Sequence, residues 1–114
     1  MMLRASGKAF GYEVDLRAVT DPSIDSHIPS GELLLEFTDA VLLRHDVREL
    51  REKLIADLGT DGLVGAAGVI GNFSMMNRIA DATGMPVGKG SLERTVDIRE
   101  QLGLNRFRHV SGAV

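Results

Sequence analysis

Cysteine is missing altogether from the 114 residues, and so is tryptophan. The first absence excludes disulfides, thiolate metal sites and thiol redox chemistry, and it fits a reducing compartment. Aromatic residues make up only 4% of the chain, so a core must be built from Leu, Val, Ile, Ala and Met, a palette that favours helices. Neither sign of charge dominates. A net charge of −3, with acidic and basic residues interspersed, leaves no electrostatic footprint for nucleic acid or an anionic membrane. The first residues lack the long apolar core of a signal peptide, and the expectation is a cytoplasmic protein. With 44% apolar residues the chain is globular, and its length suits one helical domain, residues 1–114.

The richest pattern lies in residues 60–84. Thr60 is suited to cap a helix N-terminus, and Gly84 to end it in the left-handed conformation, with Pro86 preventing its resumption. Between them Leu63, Ala66, Ala67, Ile70, Phe73, Asn77 and Ala80 fall close to one stripe at helical spacing. Val69, Met76 and Ile79 widen the stripe until little polar surface remains. Gly62, Gly65, Gly68 and Gly71 recur every third residue, and each costs about 1 kcal/mol against Ala within a helix. Close approach of a neighbouring helix over those small residues is the expected compensation. A membrane span is not expected, because Asn72 interrupts the apolar run and Asn77-Arg78 ends it short of about 20 residues. The pattern predicts a buried central helix in a bundle.

Around it, residues 1–8 read as a frayed start. Residues 9–19 suit a short helix, although Val14, Leu16 and Ala18 alternate as a strand would and Gly11 weakens the helical reading. Asp21-Pro22-Ser23 signals a turn. Ser30 is a good N-cap for a helix running to about His45, with Leu33, Leu34, Phe37 and Val41 facing inward and Ala40 or Arg44 beside them. Asp46 opens another, with Leu50, Leu54 and Leu58 at i, i+4, i+8 and Gly59 as its stop. Ser91 caps a last helix over residues 92–102, which Gly103 ends before a tail over 104–114. Short links favour antiparallel neighbours. The fold class expected is therefore all-α: a small bundle of four to five helices around the Gly/Ala-rich one, assembled as a homo-oligomer.

Chemistry-bearing patterns are sparse. His27, His45 and His109 form no i, i+3 or i, i+4 pair with another ligand-type residue within one predicted helix, so no metal site is predicted. His45 is placed to oppose a helix dipole. No nucleotide fingerprint or nucleophile elbow is present, and Gly84 to Lys89 lacks the spacing of a phosphate-binding loop. No cofactor is expected. Asn72, Asn77 and Arg78 stand out as polar groups on an apolar helix. Buried without partners, each would cost on the order of 1–3 kcal/mol or more. They must reach the surface, meet Glu36, Asp39 or Asp81, or bind a ligand.

The order of these pieces resembles the alkylhydroperoxidase-like and carboxymuconolactone decarboxylase-like family. The likeness is carried by ELLLEFTDAV at 32–41, Leu58-Gly59, Asn72-Phe73, Asn77-Arg78 and ATGMP at 82–86. It covers roughly residues 10–87 and implies an all-helical, oligomeric protein. The peroxidase branch of the family uses a Cys-x-x-Cys pair followed by histidine, which would fall on Phe10-Gly11-Tyr12-Glu13 with Arg17 at the histidine position. Neither Phe10 nor Glu13 can form a thiolate or a disulfide, so peroxidase activity is excluded. The chain begins close to this position, and family helices that wall the pocket are expected to be short or absent. Two functions follow from the resemblance. One is a redox-inactive module for oligomerisation or for binding a ligand or protein. The other is a thiol-independent decarboxylase or lyase acting on a small carboxylated substrate. In the second, Glu13 is the acid/base group, Arg17 or Arg78 clamps a carboxylate, and Tyr12, Asn72 and Asn77 complete the binding residues.

Overall fold

A glycine decides the geometry of the longest element. The computed structural model describes residues 7–106. Their order is a 3-10 turn at Leu16–Val19, α1 at Gly31–Leu42, α2 at Arg48–Thr83, α3 at Lys89–Arg94, α4 at Val96–Gln101 and a second 3-10 turn at Leu104–Arg106. No strand occurs among the described residues, and the all-α class is shown. Within α2, Gly59 sits at φ 75°, ψ 174°, a conformation closed to L side chains, and kinks the helix. The stop expected at Gly59 is thus a bend between two arms, 48–58 and 60–83, about 17 and 36 Å long at the α-helical rise.

The first arm makes the core. Leu54 is completely buried, and Phe37 and Ala40 of α1 are buried too. Leu33, Leu34 and Val41 lie half-buried beside them, as the spacing of α1 predicts. Ala18 from the first 3-10 turn and Ile98 from α4 complete the buried apolar side chains among the described residues. Ser30 precedes α1 as expected but does not cap it. It adopts φ 57°, and its hydroxyl donates instead to the Asp57 carboxylate on α2, tying the two helices together. α1 ends at Leu42. Arg44 turns left-handed at φ 58°, the His45 N–H reaches back to the Ala40 carbonyl at 2.8 Å, and His45 itself lies exposed past the last turn.

Three further sequence expectations need correction. Residues 9–19 form neither one helix nor a strand. Gly11 at φ 82° breaks the chain direction, residues 12–15 run without regular structure, and the Asp15 carboxylate then caps the 3-10 turn by accepting from the Arg17 N–H. The helix expected over 92–102 is two short ones, starting three residues earlier and broken at Thr95, where φ −116° leaves the helical region. There the inward residue is Ile98, while Val96 is exposed.

The largest correction concerns the arm 60–83. It is not a buried pivot. Leu63, Ala66, Ile70 and Ser74 are only half-covered, while Val69 is 58% and Phe73 54% exposed. A methyl group added at Gly65, Gly68 or Gly71 would meet no described residue within 4 Å, so no described helix fills the glycine face. The cause is supply. α1 is spent on the first arm, and α3 and α4 are too short to line a helix of this length. The radius of gyration, 15.6 Å, exceeds the ~13 Å of a close-packed domain of about 100 residues. The C-terminal end forms as predicted: Gly84 adopts φ 67° and its N–H, with that of Met85, closes onto the Ala80 carbonyl. The expectations for residues 1–6, and for Arg108 and His109 in the tail, lie outside the described residues.

Candidate functional site

Of the six residues singled out by sequence, three come together. Tyr12, Glu13 and Arg17 line one open depression of about 760 Å³, with Lys8, Asp15, His27, Ile98 and Gln101 around it. The unstructured stretch after Gly11 presents Tyr12 and Glu13. Arg17 is held at the start of the 3-10 turn. His27 is held by its own N–H donating to the Asp25 carboxylate at 2.8 Å, in a left-handed conformation of φ 61°.

Arg17 is already engaged. Its Nε and Nη2 donate to the two carboxylate oxygens of Asp15 at 3.0 and 2.6 Å, the side-on fork geometry of arginine and carboxylate. With the Arg17 N–H also donating to the same carboxylate, Asp15 is held well below its ordinary value, at about 2, the side-chain bond from Arg17 being the largest cause. The same bond raises Arg17. A substrate carboxylate would compete with this neighbour for the fork. Glu13 and Arg17 are both exposed, and Tyr12 is 44% exposed, so water reaches every polar group. Little desolvation is available there to retune an acid or base.

Asn72, Asn77 and Arg78 are elsewhere. All three are exposed on the second arm of α2, and none lines the depression. Asn72 Nδ2 contacts Met76 Sδ at 3.7 Å, one turn along the same helix. Arg78 makes no ion pair with Glu36, Asp39 or Asp81 among the described residues. Of the alternatives weighed from sequence, these residues take the surface. Among the described residues no group of three His, Asp or Glu side chains is placed to hold a metal.

The pairing of Asp15 with Arg17 was open to inspection in the sequence. Asp-Leu-Arg at 15–17 and Asp-Val-Arg at 46–48 share one spacing, and both fold alike. In each, the carboxylate accepts from the N–H two residues on at 3.0 Å and pairs with that arginine's Nη2 at 2.6 Å. Both open a helical turn, where a side-chain acceptor two residues upstream meets an orphan donor. No sequence signal points to Gln101 or Ile98, because the fold brings them from the far end of the chain.

The most prominent surface is not this depression but the second arm of α2. Val64, Val69, Phe73, Met75, Met76 and Ile79 are each about half exposed or more along it, with no charged residue between Asp61 and Arg78. By length and composition α2 would also suffice to cross a membrane. Comparison of the chain with protein-family models, with curated proteins and with solved structures finds no match.

Proposed function

We infer that the chain is a redox-inactive helical module whose work is self-association through the second arm of α2. The observation that carries this reading is the exposure of six large apolar side chains along one helix that the other described elements leave uncovered. Contiguous apolar surface of this kind marks an interaction site. Covering it with a further helix would complete the bundle that the sequence pattern calls for, and a second copy supplies one. The resemblance to the alkylhydroperoxidase-like family, whose members are helical oligomers, points the same way. The absence of cysteine removes that family's peroxidase chemistry.

The alternative, a thiol-independent lyase, is supported by Tyr12, Glu13 and Arg17 sharing one depression. Against it stand the open surroundings, the occupation of Arg17 by Asp15 and the distance in sequence and surface between this group and Arg78.

Light scattering on the chain in solution tests the choice. The expected result is a dimer or larger, converted to monomer by Met76→Glu, because an uncompensated charge in an apolar contact is strongly unfavourable. A wild-type chain that stays monomeric at every attainable concentration overturns the module reading. In the same preparations Glu13→Ala and Arg78→Ala leave any turnover of small carboxylated compounds unchanged. A loss above about tenfold (1.4 kcal/mol) in a folded variant would favour the lyase.

A further inference from the structure

We propose that the second arm of α2 docks antiparallel on the same arm of a second copy, so that the bulky end of each helix lies over the glycine end of the other. This rests on the self-association reading and adds its orientation and register. Leu63, Ala66, Ile70 and Ser74 mark the half-covered side of the arm. At about 100° per residue, the opposite side carries Val64, Gly65, Gly68, Val69, Asn72, Met75, Met76 and Ile79. All eight are exposed.

Side-chain size is distributed unevenly along that face. Its N-terminal half holds Gly65 and Gly68, above which a Cβ would meet open space, between Val64 and Val69, and its C-terminal half holds the longer Met75, Met76 and Ile79 with no glycine. Parallel pairing would set glycine against glycine and methionine against methionine, leaving a void at one end and crowding at the other. Antiparallel pairing centred on Ile70 sets Gly65 opposite Met75 and Gly68 opposite Asn72 of the other copy. Each of these glycines then faces a longer side chain. Charge agrees: Asp61 and Arg78 bound the uncharged stretch. Antiparallel docking brings Asp61 of one copy level with Arg78 of the other, where parallel docking would set like against like. Opposed helix dipoles favour the same orientation. A bilayer is the weaker occupant, since Asn72 sits in the middle of the face and a lipid surface gains nothing from glycine notches.

The chain's lack of cysteine makes the test direct. Asp61→Cys and Ile79→Cys are prepared in the full chain, refolded separately and together, and oxidised. In the proposed register the two positions lie opposite each other, while each lies about 27 Å along the axis from its own copy. A disulfide needs Cα atoms within about 7 Å, so covalent dimer is expected as the main product of the mixture and at under about a tenth of that level with either variant alone. Self-linking of each variant, with no gain on mixing, overturns the orientation and leaves self-association standing. A wild-type dimer with no cross-link in any sample means another face is used and overturns the proposal too. A wild-type monomer by light scattering, or one that instead floats with neutral phosphatidylcholine vesicles, removes both the proposal and the reading beneath it.

Discussion

Leu54→Ala separates the two kinds of apolar surface in this chain. Among the described residues Leu54 is the largest fully buried side chain, on the first arm of α2 in the core to which α1 contributes the buried Phe37 and Ala40. Truncating such a leucine removes its transfer energy and leaves a cavity, at a cost of about 2–5 kcal/mol. With about 2.1 cal/mol/K of unfolding entropy per residue, 114 residues lose roughly 4 °C per kcal/mol, so the midpoint should fall by about 8–20 °C. Val69→Ala removes a side chain that is 58% exposed within the chain, and its effect should come through association instead. Calorimetry across a dilution series distinguishes them. The Leu54→Ala loss should persist at every concentration, whereas the Val69→Ala loss should vanish on dilution to monomer, following mass action. A Leu54→Ala shift no larger than that of Leu58→Ala, whose side chain is 39% exposed, would refute the placement of the core on the first arm.

Gly59→Ala should destabilise by at least about 1–3 kcal/mol in chemical denaturation, because φ 75° with ψ 174° is open only to glycine. Gly65→Ala should do the opposite in dilute monomer, adding up to about 1 kcal/mol, since its Cβ meets nothing and helix propensity rises. At concentrations where the wild type associates, the same methyl should weaken the oligomer, measured by sedimentation. Asp15 should titrate near pH 2 by carboxyl NMR, and Arg17→Ala should return it toward the ordinary range. Its pKa is depressed on folding, so the stabilisation it contributes is complete above the unfolded value near 4 and fades as pH falls toward 2.

Much of the helical layout was legible because local rules wrote it. The start of α1 just after Ser30, the left-handed Gly84 and the inward Phe37, Ala40 and Leu54 follow from spacing and turn chemistry, while Leu58 of the same leucine series is exposed. Helical spacing also marked residues 60–84 as an apolar helix. What spacing cannot say is whether partners for that helix exist in the same chain. Val69 and Phe73 carry the same pattern whether their neighbour is α1 or a separate molecule, so burial was expected where exposure is found. For the candidate site the limits differ. Tyr12, Glu13 and Arg17 are near in sequence and stay near in space, whereas Arg78 depends on the path of a long kinked helix, which no local signal fixes.

The glycines connect these threads energetically. Gly65, Gly68 and Gly71 together cost the arm about 3 kcal/mol of helix propensity, and among the described residues nothing packs against them to offset it. The same arm leaves Val69, Met75, Met76 and Ile79 about half exposed. Either feature alone would be an ordinary local weakness. Together they are complementary, because a glycine notch has value only when something bulky enters it, and the bulky groups stand on the same face a few turns away. One helix cannot fold back on itself to use both. Two copies reversed against each other can, and each contact made at one end is then made again at the other by symmetry. Under the proposed self-association, the arm's low intrinsic propensity and its uncovered apolar face are two consequences of one arrangement.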